Sequence, residues 1–454
     1  MLGAIAAGNE HTARAGADVL AGGGSAVDAL VAAALCGFVA EGPLTGPAGG
    51  GFLLVHGPGI RSTVLDCFFA VPAVARSRAE TVVIDFGDAS TQSFNVGPET
   101  VAVPGLMQGL ELAHGRFGRV PWRDLFQPAI ALARAGVRMN DAQRELNAML
   151  IPILHREEGG RRAYGDPART ATADLVPALE LLRDDGAAAM AELLPDLAGD
   201  IHAYRVVERD PIVVALGEGE VLTVPSPSRV GVAIARGLRA LEGRLGEPGS
   251  GEEALTLAGA VAAAYDLPAG VATRLTGTTH VSVVDADGVA AGLSSTLGSG
   301  SGVFRHGFQL NNMLGETDVI GDAVPPAGER LPSMMAPTAV TTGGEVRLLL
   351  GSAGSVRLAG AILQVAVRVV LEGAPVATAI ELPRVHAGQD GLHLEGGWSD
   401  DAAAVVAAAG YPVVRWVGQN LFFGGVAAVE RRPGGGFGAA GDPRRGGHGI
   451  VVTR

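Results

Sequence analysis

The chain of 454 residues contains no lysine, so all 34 of its basic side chains are arginines. That absence removes the P-loop lysine, the Schiff-base lysine, the kinase lysine and the Ser-Lys dyad together, because each depends on a primary amine. Aromatic residues make up only 4% of the chain, so Ala, Val, Leu and Gly must pack a core drawn from its 48% hydrophobic content. Two cysteines, Cys36 and Cys67, are too few for a disulfide framework and read as small apolar core residues. The ten histidines fall singly, with no H-E-x-x-H and no Cys/His cluster, which gives metal catalysis little support. No G-x-S-x-G occurs either. No metal and no other cofactor is expected.

Charge and hydropathy narrow the class further. The formal charge is −13 and no basic run appears, which argues against nucleic acid and against an anionic membrane surface as partners. The longest apolar segment, Ala29 to Ala40, is too short to cross a bilayer. Met1 to Gly8 lacks a basic n-region and runs directly into a helical pattern with Glu10, Arg14 and Asp18, unlike a signal peptide, so a cytoplasmic protein is expected. The length suits one large layered unit or two intimate ones. Ala-rich helices are predicted over 12–21 and 25–39, separated by Gly22-Gly23-Gly24, with Ser25 as N-cap and Asp28 in the first turn. Stretches 156–171 and 243–253 read as loops or linkers.

The most chemically suggestive stretch is Gly277-Thr278-Thr279-His280-Val281-Ser282-Val283-Val284-Asp285-Ala286-Asp287-Gly288. It reads as a strand that opens on a threonine and closes in a tight turn. Without a side chain at Gly277 the backbone can bend so that the Thr278 hydroxyl reaches the carbonyl before it. An N→O acyl shift followed by ester hydrolysis would cut the chain there. The freed α-amine, with an ordinary pKa near neutrality, could then act as base for the same hydroxyl. Thr is also a good strand former, and an ordinary structural Thr-Thr pair is the plain alternative.

Several segments together resemble the γ-glutamyltranspeptidase family. They are Asn9-Glu10-His11, the A-G-A-D-V-L-A-G-G-G-S-A-V-D-A run from Ala15 to Ala29, the glycine turn Gly49-Gly50-Gly51 with Phe52-Leu53-Leu54, and Val101-Ala102-Val103-Pro104-Gly105. His114 to Trp122, Pro128-Ala129-Ile130 and Leu132-Ala133-Arg134 continue the likeness. It is thin between about 140 and 275, then strong from Thr278 through Leu293-Ser294-Ser295-Thr296-Leu297, Leu310-Asn311-Asn312, Arg330, Ser333, Met335, Pro337-Thr338 and Gly351-Ser352. Pro383-Arg384-Val385-His386 and Gly441-Asp442-Pro443-Arg444 close it.

The resemblance implies an α+β fold, the four-layer αββα sandwich of N-terminal nucleophile hydrolases. The precursor is expected to cut itself between Gly277 and Thr278 into an intimate pair of a large (1–277) and a small (278–454) subunit segment, with higher assembly left open. Thr278 is the implied nucleophile, Thr296 the second threonine that supports it, and Gly354 and Ser355 the oxyanion donors, where the family has two glycines. The substrate side departs from the family. Phe68, in Asp66-Cys67-Phe68-Phe69-Ala70-Val71-Pro72, takes the place of the arginine that grips the glutamyl α-carboxylate, and phenylalanine offers neither charge nor donors. Gly298 replaces an asparagine, Met313 a polar residue and Met334 a serine beside Ser333, while Glu316 keeps an acid where the family holds the substrate amine. The stretch 316–330 is short where many members carry a lid, which suggests a more open site.

The reading is therefore a self-processing amidohydrolase or acyltransferase acting on a small-molecule amide or acyl substrate, with an acyl pocket altered from glutamyl. Three alternatives stand beside it. They are a genuine γ-glutamyl hydrolase or transpeptidase acting on glutathione or γ-glutamyl amides, an unusual C–C or amide hydrolase in small-molecule biosynthesis, and an unprocessed, non-catalytic binding protein.

Overall fold

Alternation of apolar and small residues along the strands builds two antiparallel sheets that face each other, as a computed structural model shows. It describes residues 1–74, 79–85, 91–241, 245–265, 277–321, 324–354, 357–388 and 390–454. The strands of the two sheets are β1 (Gly3–Ala7), β2 (Gly50–Gly57), β3 (Ile60–Cys67), β4 (Val207–Arg209), β5 (Ile212–Leu216), β6 (Gly219–Thr223), β7 (Gly277–Asp285), β8 (Ala290–Gly298), β9 (Thr338–Thr342), β10 (Glu345–Ala353), β11 (Gly425–Arg431), β12 (Phe437–Gly441) and β13 (His448–Val452). The first sheet has the order β13-β1-β7-β8-β2-β3-β4 and the second β12-β11-β10-β9-β6-β5. The main helices that cover them are α1 (Glu10–Ala21), α2 (Ala26–Ala40), α3 (Leu106–Phe117), α4 (Gln127–Ala135), α5 (Asp141–Leu154), α6 (Arg229–Arg239), α7 (Gly251–Tyr265) and α8 (Leu358–Val370).

Period two along each strand sends neighbouring residues to opposite faces. On β7, Val281 and Val283 point to the helices α1 to α4, where they join Ile5, Leu53, Leu30 and Leu110 in one core. Val284, with Ala4, Phe52 and Leu54 from the same sheet, points the other way and packs against Val340, Leu348 and Leu350 of the second sheet, in a core that runs on to α6, α7 and α8. This is the expected αββα sandwich. The few aromatics do not weaken it, since Ala, Val and Leu fill both cores.

The two predicted Ala-rich helices form with nearly the predicted ends. Ser25 caps α2 in a reciprocal box, its hydroxyl accepting from Asp28 N at 3.1 Å while Asp28 Oδ2 accepts from Ser25 N at 2.8 Å. α2 is buried along its whole length, so it lacks a polar face. The turn after β7 closes as expected, with Gly288 at φ +83 and its N–H donating to Asp285 O at 3.1 Å. The expectation of a loop over 156–171 is corrected, because Glu158–Tyr164 is helical. Its buried Ala163 and Tyr164 pack with Phe304, a tertiary contact that outweighs the glycines in the segment. Of the stretch 243–253, residues 243 and 244 lie outside the described residues, and α7 starts within it at Gly251. Both cysteines are buried and free, as read, and burial pushes each thiol up to about 12. Among the described residues no helix is long and apolar enough to cross a membrane, and no cluster of metal-ligating side chains occurs.

Candidate active site

The mouth of β7 is irregular. β1 ends at Ala7, opposite Val281, so the residues before Val281 have a strand partner only in β8. There the register slips, with Thr279 opposite Ser295 but Gly277 opposite Gly298, so that Thr296 and Leu297 both face the single residue Thr278. Such a bulge re-aims side chains. Here the Thr296 hydroxyl donates to the carbonyl oxygen of Gly277 and accepts from Gly298 N at 2.8 Å. A Cβ on Gly277 would lie 2.6 Å from Gly298 O, so only glycine fits this approach.

Chemically, this places a hydroxyl donor on the carbonyl that the Thr278 hydroxyl would attack. Attack of Oγ on the Gly277 carbonyl carbon creates an oxyanion on that oxygen, and a donor already aimed at it stabilises the charge as it forms. Collapse would pass the hydroxyl proton to the departing nitrogen, break the C–N bond, leave an ester on Oγ and free the amine. Thr278 is buried, 3% exposed.

Thr278 also lines a small cavity with Thr296, the predicted supporting threonine, and the residues predicted for substrate gather around it: Phe68, Gly298, Met313, Glu316, Ser333 and Met334. Phe68 is fixed by its neighbours, stacked on Phe52 with ring centroids 5.6 Å apart and set edge-on to Phe69 at 4.9 Å. Its backbone N–H donates to Asp66 Oδ1 at 3.1 Å. Asp66 also takes Arg209 at 2.8 Å, with Arg330 Nε 3.4 Å away, so the motif's charges are spent on one another beneath the site. No cationic side chain lines this cavity among the described residues. Its one charged group is Glu316, whose Oε1 accepts from Ser299 N at 2.9 Å and Ser299 Oγ at 2.6 Å.

Gly298 has a reason of its own. Its φ is +69, and a Cβ there would stand 2.2 Å from Asn312 Oδ1. Asn312 accepts from Ser299 N at 2.8 Å and Gly300 N at 3.2 Å, and Asn311 bridges Ala102 and Ala48, so the adjacent asparagines brace the loops around the cavity. Of the short 316–330 stretch, residues 322 and 323 lie outside the described residues. A single helical turn, Thr317–Ile320, brings Val319 into the cavity wall.

The predicted oxyanion donors are placed less fully. Gly354 follows the end of β10 with φ +130, packed so that a Cβ would sit 2.9 Å from Gly424 Cα. It does not line the small cavity. Ser355 lies outside the described residues.

Sequence reasoning missed the surroundings on the other side of Thr278, where a second, larger chamber opens. Glu41, buried at the end of α2, accepts from Thr12 Oγ1 at 2.7 Å and from Thr279 Oγ1 at 2.5 Å, tying that helix to the residue after Thr278. Burial pushes its carboxyl above the usual range against those two hydrogen bonds. The doubled threonine was a signal that could have raised the question of a partner, but nothing local points to a residue 238 positions away. His280 is structural, bonded to Ser294 and Ser282 at 2.8 Å each, and burial lowers it to about 3.

A family model described as Gamma-glutamyltranspeptidase matches residues 12–194 and 253–452. The break falls inside the stretch where the likeness was thin. Curated relatives include the glutathione hydrolase proenzyme of Escherichia coli (strain K12), 27% identical over 97% of this chain and 90% of that protein. The acylase ACY 1 proenzyme of Pseudomonas sp. (strain SE83) is 28% identical over 95% of this chain and 90% of that protein. Among solved structures, a cephalosporin acylase from Bacillus halodurans superposes with a TM-score of 0.81 at 17% identity, covering 100% of this chain and 96% of that one, which shows a shared fold.

Proposed function

This chain belongs to the γ-glutamyltranspeptidase family, an enzyme of the N-terminal nucleophile type that acts as a hydrolase or acyltransferase, and from that premise we propose a division of labour among its residues. The precursor cuts itself between Gly277 and Thr278, giving segments 1–277 and 278–454 that stay interlocked. Thr278 then attacks the carbonyl of a small-molecule amide, its freed α-amine taking the hydroxyl proton and passing it to the leaving amine. Water or a second amine removes the acyl group from Oγ. Thr296 steadies the nucleophile, and the backbone N–H groups at Gly354 and Ser355 receive the oxyanion.

The acyl group in this reading is small and either neutral or amine-bearing, not glutamyl. The observation that carries it is Phe68 in the wall of the small cavity, with Glu316 as the one charged group there among the described residues. A glutamyl α-carboxylate placed in that space would lose its hydration, find no guanidinium and meet a like charge. Leaving a buried charge unpaired costs several kcal/mol on the scale of about 3–5 kcal/mol seen when one partner of a buried pair is removed. Of the named curated relatives, the acylase ACY 1 proenzyme rather than the glutathione hydrolase proenzyme is the nearer analogy on this point.

A panel of 4-nitroanilides tests it. Glycyl, alanyl and acetyl anilides should be cleaved with higher kcat/KM than the γ-glutamyl anilide, all activity vanishing in Thr278→Ala. Efficient γ-glutamyl turnover overturns the acyl assignment. Intact mass should show two chains parting at Gly277-Thr278, and a chain that stays whole on long incubation returns the protein to the non-catalytic reading.

A further inference from the structure

The large chamber beside Thr278 has a composition unlike the small cavity. Its walls are mostly apolar, with Leu44, Met139, Leu146 and Tyr164 among them, and one side is formed by the segment that carries Asp442, Arg444 and Arg445. Behind Arg444 and Arg445 lies a third guanidinium, that of the fully buried Arg384. Arg384 pairs with Asp442 at 2.5 Å, and Arg444 with Glu395 at 2.6 Å and Asp442 at 3.2 Å. Two carboxylates thus answer two arginines, and the remaining one, Arg445, has no acidic partner in hydrogen-bond contact among the described residues. Among the described residues its Nε is buried without a hydrogen-bond partner, and its Nη2 makes a long contact of 3.4 Å to Leu421 O. Glu41 also reaches the chamber, but both of its oxygens are taken by threonine hydroxyls.

A half-buried guanidinium with spare donors, set in an apolar wall, has a clear complement. A carboxylate would satisfy it by charge and by paired hydrogen bonds, and the apolar walls would take the rest of the molecule. Arg445 is also near Gly354, since a Cβ built there would lie 3.4 Å from its Nη2.

We infer that this chamber is the subsite for the amine half of the substrate, and that it takes an apolar, aromatic or aliphatic amine bearing a carboxylate that pairs with Arg445. This rests on the acylase reading above and adds the other half of the amide to it. Phe68 denies the carboxylate a place on the acyl side; Arg445 supplies one on the leaving side.

The test uses the full chain carrying Thr278→Ala, which keeps the chamber free of turnover, with 4-aminobenzoate and its methyl ester as probes. Calorimetry should find the acid bound at least tenfold more tightly than the ester. Arg445→Met should erase that difference and Arg445→Lys should keep part of it. Equal binding of acid and ester, no binding of either at millimolar concentration, or a preference that survives Arg445→Met overturns the inference. The acid–ester comparison alone decides if Arg445→Met does not fold. Failure of the acylase reading looks different: no amide in the panel is turned over by the wild-type chain while the binding preference stands.

Discussion

Replacing Thr296 by valine should leave the chain folded and almost uncut. The side chain keeps its shape and loses only the hydroxyl that donates to Gly277 O and accepts from Gly298 N. Loss of one donor to a developing oxyanion costs about 2.7–4 kcal/mol, or roughly 10²–10³ in rate. The same change orphans the buried Gly298 N–H, a cost of about 1–3 kcal/mol that falls on stability. The two effects separate by measurement. Self-cleavage is followed as the appearance of the 278–454 segment by intact mass after a synchronised start of translation, and stability by urea unfolding of the Thr278→Ala background with and without Thr296→Val. Thr296→Ser, which keeps the donor, should cut at close to the wild-type rate. If Thr296→Val folds and cuts as fast as wild type, the hydroxyl is a strand ornament and the proposed assistance to the acyl shift is wrong.

Three further predictions concern the surroundings. Gly298→Ala should destabilise the chain and shrink the cavity, because φ +69 disfavours any side chain and the new methyl would press on Asn312 Oδ1 at 2.2 Å. The expected loss is at least about 1 kcal/mol by urea midpoint, on the scale for residues forced into left-handed backbone, and an unchanged midpoint would contradict it. Asp442→Asn should cost about 3–5 kcal/mol, since it leaves the buried Arg384 unanswered. Asp442 also carries an acid signature. Burial raises its carboxyl, but Arg384 and Arg444 outweigh that and hold it below the ordinary aspartate value. A group depressed in the folded state contributes stability that is present above its unfolded pKa, about 3.9, and is lost as pH falls through the lower folded value. Unfolding free energy should therefore drop below about pH 4 in the wild type, and less steeply in Asp442→Asn. Equal slopes in that window would rule the linkage out.

The local signals in this chain were strong wherever one residue's chemistry was enough. Ser25 and Asp28 announced the cap of α2, the Asp285 to Gly288 run announced the turn after β7, and alternation announced β7 itself, because each depends on neighbours within a few positions. The step Gly277-Thr278 could be singled out for the same reason, as could the loss of a guanidinium at Phe68. Tertiary structure decided what lies across from them. That Thr296 touches the Gly277 carbonyl depends on a slipped register 19 residues away. That Thr279 leans on Glu41 depends on where α2 ends against the sheet. The surplus charge of Arg445 exists only because Arg384, Glu395, Asp442 and Arg444 converge from separate segments and pair among themselves. Composition sets which chemistries are available, while register and long-range packing set which groups are left with a free valence facing the substrate.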